Sequence, residues 1–385
     1  MIHAFSFQRR CAAVTMLVGA LALTTPGTSV GQQRQAPPMP TVDDVRNATD
    51  TVAADRALMY LRSDALRPWR DLRNAIWAAG EAAQARGDTA AARWFFTQED
   101  RYAMLATGTV LPWFMRVPPA PFTVTKSARV RAYIIGDWGS DEAPEQTVAD
   151  AVRAAHKQKA FQLGLTVGDN FYPTGINDPR SPRWKASFEN RYGILQVPLF
   201  ATLGNHDYSY DRESAAAEIA YTTQSKWWKM PAEWFTFTAG PVQFFALNTN
   251  RLSEYHLRWL ATELDNSSAR WKVVYGHHPL HAGPKSYGLD SAGSARLVAV
   301  LHGKVDVYLS GHHHSLQHTA SVKGIEQFIV GGGGASNYDL GNQDSPSRFA
   351  KSAYGFGVIE ADAQTLTVRL VGDRGAELYQ YVLKK

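Results

Sequence analysis

The segment Gly168-Asp169-Asn170-Phe171-Tyr172-Pro173-Thr174-Gly175 carries much of the structural information in this 385-residue chain. It follows the apolar run Leu163–Val167, which has the length and composition of a strand buried on both faces. Four further segments repeat this arrangement of a glycine and polar side chains after an apolar run: Gly136–Gly139, Gly204–Asp207, Gly276–His278 and Gly311–His314. Ligands in layered α/β folds collect at the carboxyl ends of strands, so the five segments are expected to form one site.

The donor atoms in these segments indicate transition metals. Carboxylate, phenolate and amide oxygens mixed with several imidazoles suit iron, manganese or zinc, whereas calcium and magnesium prefer shells made only of oxygen. The only cysteine, Cys11, lies near the N-terminus, which excludes a structural zinc finger. The sequence therefore predicts a two-metal hydrolytic site.

Hydrophobic patterning predicts an α/β fold around this site. The expected strands are short, uniformly apolar runs: Val130–Ile135, Leu163–Val167, Leu199–Leu203, Gln243–Leu247, Lys272–Tyr275 and Val305–Leu309. Helical stretches such as Thr147–Lys159 and Leu257–Leu264 lie between them. From Gly355 the chain is expected to end in closing antiparallel strands.

The N-terminal third differs from the rest of the chain in its sequence pattern. Residues 1–31 are predicted to be a cleavable signal peptide, because Arg9-Arg10 precede an apolar run, Cys11–Leu23, that is too short to span a bilayer comfortably; a buried helix is the alternative. Residues 32–40 are predicted to be a linker. Residues 41–115 are predicted to be a helical N-terminal region, with Thr89 capping a helix after the break at Gly87-Asp88. Residues 125–385 would form the catalytic domain.

The net charge of the chain and its predicted export limit which binding partners are expected. The net charge of +5 falls to +3 when the two arginines of residues 1–31 are removed, which is too mild to indicate nucleic acid as an obligate partner. No stable membrane span is expected after signal cleavage, and a cysteine-free mature chain is compatible with a periplasmic or secreted location. The sequence leaves the oligomeric state open.

The order and spacing of the five segments resemble the calcineurin-like metallophosphoesterases and, within them, the small, tartrate-resistant type of purple acid phosphatase, because Tyr172 lies three residues after Asp169. The resemblance includes Ser225-Lys226-Trp227 and Gly311–Gln317, and it covers about Arg129–Leu383. It implies a β-sandwich of two mixed sheets flanked by helices, in four layers α/β/β/α. The helical N-terminal region would be an extension without a recognised counterpart.

The resemblance also implies two metal ions. A ferric ion would be held by Asp137, Asp169, Tyr172 and His314. Asp169 would bridge to a divalent ion, iron, zinc or manganese, held also by Asn205, His277 and His312. One shared carboxylate keeps two cations about 3.5 to 4 Å apart, the separation at which they can clamp a phosphoryl group.

Other residues are expected to face the substrate or to support the ligands. His206 would bind phosphate or act as general acid, with Asp207 as its hydrogen-bond partner. A second substrate-facing histidine is expected beyond His277, and His281 is the candidate although its spacing is shorter than in the family. His313, Tyr208 and His278 differ from the residues expected beside the ligands.

The predicted function is an exported acid phosphatase that hydrolyses small phosphate monoesters by attack of a metal-bound hydroxide. A phosphodiesterase or nucleotidase using the same metals is the alternative, to be decided at the loop Gly283–Ser294 and at the divergent His281 and His313. A non-catalytic binding module is the third possibility, and the retained ligands and His206 count against it.

Overall fold

The computed structural model describes residues 42–49, 54, 69–96, 118–176, 178–208, 213–281, 289, 291–340 and 347–385. The predicted signal peptide and linker lie outside the described residues. So does the predicted end of the helical N-terminal region at residue 115.

The described strands follow one another from residue 122 to the C-terminus. In chain order they are β1 (Phe122–Thr125), β2 (Val130–Ile135), β3 (Leu163–Thr166), β4 (Leu199–Ala201), β5 (Trp228–Lys229), β6 (Phe235–Ala239), β7 (Val242–Ala246), β8 (Trp271–Tyr275), β9 (Val307–Ser310), β10 (Leu316–Thr319), β11 (Glu326–Val330), β12 (Ser347–Lys351), β13 (Gly355–Ala361), β14 (Thr365–Gly372) and β15 (Glu377–Lys384). All six apolar runs predicted as strands are strands, with ends that agree to within two residues.

The described helices lie in the N-terminal region and between strands. They are α1 (Val42–Arg46), α2 (Trp69–Ala85), α3 (residues 89–96), α4 (Ala143–Gln158), α5 (Glu213–Tyr221), α6 (Glu254–Asn266) and α7 (Ser291–Leu301), with short helical turns at Trp184–Glu189, Gly193–Leu195 and His206–Tyr208. In the described part of the chain no helix is both long enough and apolar enough to cross a membrane.

The strands form two mixed sheets. One sheet has the order β1-β6-β7-β8-β9-β11-β10-β12, and the other has the order β15-β14-β13-β2-β3-β4-β5. Strands β7, β8, β9 and β11 are parallel in the first sheet, as are β2, β3, β4 and β5 in the second. The C-terminal strands β13, β14 and β15 are antiparallel, as the sequence predicts.

Hydrophobic side chains fill the space between the sheets. Phe200 of β4 stacks on Phe237 of β6 with ring centroids 4.0 Å apart, and both belong to the buried cluster between the sheets. Helix α4 buries Val148 and Val152 against the outer face of the second sheet, while α6 and α7 cover the outer face of the first. The architecture is the four-layer α/β/β/α sandwich that the resemblance implies.

The described parts of the N-terminal region are helical and pack on the sandwich. Trp77 of α2 is buried and meets Trp234 edge to face, with ring centroids 6.3 Å apart. Glu81, also on α2, lies 3.3 Å from His256 of α6. The predicted cap at Thr89 is wrong, since the carboxylate of Asp88 accepts the Ala91 N–H at 3.0 Å and residue 89 is already helical.

Candidate metal centre

The site is built on sharp turns at the ends of parallel strands. Asp137 follows β2, Asp169 follows β3 and His312 follows β9, and all three have positive φ, at 58°, 50° and 66°. This conformation is uncommon for residues other than glycine and costs on the order of 1 kcal/mol or more at each position. Because it turns the chain away from the strand direction at once, it brings side chains from separate strands to one point.

The first donor group surrounds Tyr172. Its phenolic oxygen lies 2.8 Å from Asp169 Oδ2, 3.3 Å from Asp137 Oδ1 and 3.1 Å from His314 Nε2. One atom each of Asp137, Asp169 and His314 lie within 4.8 Å of one another. Both carboxylates are buried, so the group is shielded from water.

The second donor group surrounds His277. Its Nε2 lies 3.0 Å from Asn205 Oδ1, 3.1 Å from His312 Nδ1 and 3.3 Å from Asp169 Oδ2. Asp169, His277 and His312 again fall within 4.8 Å of one another. Asp169 is therefore the residue common to both groups. The structure brings together all seven side chains predicted as metal ligands.

Backbone carbonyls leave two of the imidazoles ready to bind a cation. His277 Nδ1 lies 2.9 Å from the Val167 carbonyl, and His314 Nδ1 lies 2.8 Å from the Ser336 carbonyl. A carbonyl can only accept a hydrogen bond, so each Nδ1 carries its proton and each Nε2 in the neutral ring offers a lone pair to the donor group. Such outer partners are typical of metal-binding histidines.

The electrostatics of the two groups require positive charge. Burial, together with the charges of Asp137 and Asp169, raises the pKa of the Tyr172 phenol well above its ordinary value, so the phenolate can form only beside a strongly charged cation. At His277 burial acts in the opposite direction, but the Asp169 carboxylate raises the pKa to about 9. A proton thus compensates part of the negative charge that two metal ions would neutralise. The donor set fits two metal ions.

His206 lies at the open side of the first group. Its ring centroid is 4.5 Å from that of Tyr172, and its backbone N–H donates to Asp169 Oδ1 at 2.8 Å. His206 Nδ1 lies 2.7 Å from the Pro173 carbonyl and donates to it. Since Nδ1 holds one proton, Nε2 carries a proton only in the imidazolium form.

Asp207 does not support His206, and that prediction is wrong. Its carboxylate accepts the backbone N–H groups of Asn170 at 2.7 Å and of Gly204 at 2.7 Å. Asp207 therefore ties the ligand loop after β3 to the ligand loop after β4. The partner of His206 is a backbone carbonyl instead, which residue types alone do not reveal.

The sequence did not predict a pair of buried carboxylates, Asp207 and Glu218, beside the site. Asn170 Nδ2 donates to Asp207 Oδ2 and to Glu218 Oε2, each at 3.0 Å, and both acids are fully buried. Burial and the neighbouring Asp207 raise the pKa of Glu218 well above its ordinary value. The pair holds a proton because two adjacent carboxylates cannot both ionise away from water. The one available signal was the position of Glu218 among the apolar residues of α5.

His281 and His278 differ in their exposure and in their contacts. His281 is exposed, and its described contact is the backbone carbonyl that accepts from Gln327 Nε2 at 2.5 Å. It lies beside residues 282–288, which are outside the described part of the chain, so its substrate-facing role stays a prediction. His278 lies beside the second donor group, with its ring centroid 4.5 Å from that of His312.

Close packing within the site explains two of the glycines. A Cβ on Gly204 would lie 2.1 Å from Asp169 Oδ1. A Cβ on Gly331 would lie 2.2 Å from the His313 carbonyl oxygen. The absence of a side chain at Gly331 therefore lets the backbone approach the site closely. The ligand loops leave no room for a methyl group at these positions.

A four-layer sandwich whose strand ends carry two donor groups sharing one carboxylate is the arrangement of a metallophosphoesterase. The calcineurin-like phosphoesterase family matches residues 130–316. The chain is 31% identical over 230 residues to purple acid phosphatase 7 of Arabidopsis thaliana, covering 52% of this chain and 69% of that protein. It is 26% identical over 298 residues to tartrate-resistant acid phosphatase type 5 of Homo sapiens, covering 65% and 90%.

The chain belongs to the purple acid phosphatase family of calcineurin-like phosphoesterases. It is accordingly a hydrolase of phosphate esters, and the homology together with the two donor groups indicates a dinuclear metallophosphatase. Among solved structures, GAP50, described as the anchor in the inner membrane complex of Plasmodium, has a TM-score of 0.60 at 23% identity, covering 67% of this chain and 89% of that one. That similarity supports the fold alone.

We expect Glu218→Gln to stabilise the protein increasingly as the pH rises. The raised folded pKa means that native Glu218 keeps a proton which the unfolded chain releases above about pH 4.5, so stability is lost as the pH rises through the folded pKa. Glutamine keeps a donor for Asp207 and does not titrate. The difference should grow by up to about 1.4 kcal/mol per pH unit.

Calorimetric melting temperatures between pH 4.5 and 8 would measure this difference. The exposed Glu142→Gln is the control and should show no such pH dependence. A stability loss in Glu218→Gln that is equal at every pH would mean that Glu218 is ionised in the folded protein.

Proposed function

We propose that the protein is an exported acid phosphatase that hydrolyses small phosphate monoesters. The observation that carries this proposal is the convergence of seven donor side chains in two groups that share Asp169. On the open side of these groups lie His206 and the exposed Asn205, where a phosphoryl group can approach. A buried base of ligands with a polar open face suits a small charged ester.

We assign a ferric ion to Asp137, Asp169, Tyr172 and His314, and a divalent ion, iron, zinc or manganese, to Asp169, Asn205, His277 and His312. The phenolate of Tyr172 supports the trivalent ion, because it must form between two buried carboxylates. When bound, the two ions would activate water as the nucleophile and neutralise charge on the phosphoryl oxygens.

His206 supplies the proton in this proposal. Its Nδ1 proton is held by the Pro173 carbonyl, so the imidazolium form directs a second, transferable proton from Nε2 away from that carbonyl. A proton delivered to the ester oxygen assists departure of a poor leaving group.

The proposed location is the periplasm or the outside of the cell. It rests on the arginine pair, apolar run and small polar residues within residues 1–31, which have the composition of a cleavable secretory signal. Comparing the mass and N-terminus of the mature protein in cell fractions would test it. An intact N-terminus in the cytoplasmic fraction would contradict export.

An assay of metal-loaded protein against monoesters, diesters and nucleotides tests the activity. We expect monoester hydrolysis at acidic pH, and Asp169→Asn should abolish it because both donor groups lose their shared carboxylate. Preference for diesters or nucleotides would favour the alternative substrate class. Two bound metals without hydrolysis of any ester would favour the non-catalytic module.

The His206→Ala variant should retain both metal ions and lose roughly 10² to 10⁴ in rate, the usual contribution of a general acid. The loss should be smaller for esters with good leaving groups, which need less protonation. Metal content per chain and kcat over a series of leaving groups would measure both effects. A missing metal ion in this variant would make His206 a ligand.

Tyr172→Phe tests the ferric assignment. Oxidised protein should be visibly coloured by charge transfer from the tyrosinate to iron, and the variant should lose this band while keeping its melting temperature close to that of the native protein. Absorption spectra with parallel iron analysis would show this. A colourless native protein with stoichiometric iron would contradict the assignment.

A further inference from the structure

Thr249 fixes the proton arrangement of a histidine that has no assigned role. Its hydroxyl oxygen accepts the backbone N–H of His277 at 3.1 Å and that of His278 at 2.9 Å. The same oxygen lies 2.9 Å from Nδ1 of the His278 ring. Thr249 follows strand β7, a strand end at which the sequence offered no glycine-marked segment.

These three contacts select one tautomer of His278. Two N–H donors occupy the lone pairs of the hydroxyl oxygen, so its single hydrogen is directed to the third neighbour, His278 Nδ1. Nδ1 is then an acceptor, and the proton of the neutral ring resides on Nε2. His278 consequently presents a hydrogen-bond donor on its far edge.

The ring of His278 lies beside the second donor group. The His278 ring centroid is 4.5 Å from that of His312 and 5.1 Å from that of His277. The Tyr308 hydroxyl donates to the His278 carbonyl at 2.8 Å and holds the backbone. The side chain is partly exposed. Among the described residues, the hydrogen bond of the His278 ring is the one between Nδ1 and Thr249.

The tautomer also separates His278 from the metal ligands. A protonated Nε2 has no lone pair for a cation, and Nδ1 is engaged by the Thr249 hydroxyl. Neither of the described groups of donor atoms that could hold a metal includes His278. The ring therefore adds a donor to the open face beside His277 and His312 without adding a ligand.

We propose that His278, oriented by Thr249, donates a hydrogen bond from Nε2 to a phosphoryl oxygen of the substrate on the His277 and His312 side of the site. The inference rests on the proposed function and names a substrate-binding residue for it. His206 and His278 then differ in the protonation state in which Nε2 can donate a hydrogen bond. His206 Nε2 has a proton to give only as an imidazolium, whereas His278 Nε2 is a donor in the neutral ring.

Binding of inorganic phosphate to the metal-loaded protein tests this role without requiring turnover. His278→Ala should bind phosphate roughly 10-fold or more weakly, the range for a hydrogen bond to a charged group, and should keep the native metal content. His278→Gln places an amide donor near the position of Nε2 and should recover much of the affinity. His302→Ala, at an exposed histidine far along the chain, is the control and should bind like the native protein.

Thr249 variants test the orientation. Thr249→Val removes the hydroxyl and should weaken phosphate binding. Thr249→Ser keeps the hydroxyl and should bind phosphate like the native protein. Kinetics with a monoester should show the His278→Ala effect mainly in KM, and the ratio of native to variant kcat/KM should stay constant between pH 5 and 8. A ratio that collapses at high pH would mean that the ring acts as a cation and would overturn the proposed donor.

Several results would overturn the inference. They are an unchanged phosphate affinity in His278→Ala, loss of a metal ion from it, equal weakening in His278→Ala and His278→Gln, or weakening in His281→Ala alone. Absence of phosphate binding by the native metal-loaded protein would overturn it as well. The ester panel judges the activity separately, because native protein that binds phosphate but hydrolyses no ester contradicts the proposed function while leaving the His278 result intact.

Discussion

The site depends on one buried carboxylate, that of Asp169. It accepts hydrogen bonds from the Tyr172 hydroxyl and the His206 backbone N–H, both at 2.8 Å, and lies 3.3 Å from His277 Nε2. Burial alone would favour the neutral acid, yet the charge and hydrogen bond of His277 hold the pKa of Asp169 below its ordinary value. An anion removed from water needs several partners at once. Only a fold that ends several strands at one point can supply them, which is why the parallel strands matter more here than any single loop.

The fold bears a local conformational cost to achieve this convergence. Asp137, Asp169 and His312 adopt the left-handed conformation, and such strain persists only where the surroundings determine the backbone completely. Those surroundings are visible in the hydrogen bonds between loops. The Asp137 N–H donates to the Gly168 carbonyl at 3.0 Å, and the His312 N–H donates to the Asp137 carboxylate at 3.0 Å. The ligand loops thus support one another, and the two sheets with their apolar core hold the strands that carry them.

The fold and the convergence of the predicted donor side chains could be predicted from the sequence because both are encoded locally. An apolar run followed by glycine and a donor side chain identifies a strand end, and Leu163–Val167 with Asp169 needs no distant information. The partners of Asp207 and Glu218 could not be obtained in this way, because they depend on how the loops after β3 and β4 meet helix α5. Thr249 was missed for a related reason. It follows a predicted strand, but a single threonine has no distinctive pattern, and its importance lies in three contacts to the loop after β8.

The fold determines which ring nitrogen carries the proton in four histidines of the site. Val167 and Ser336 carbonyls fix the protons of His277 and His314 and leave nitrogen lone pairs directed at the donor groups. The Pro173 carbonyl acts in the same way on His206, whereas the Thr249 hydroxyl acts in the opposite sense on His278. According to one neighbouring oxygen, chemically identical imidazoles therefore offer at Nε2 a lone pair, a proton that is present only in the imidazolium form, or a proton that is present in the neutral ring. Since a carbonyl can only accept but a hydroxyl can also donate, the proton arrangement of these four histidines is set by oxygens that lie outside both donor groups.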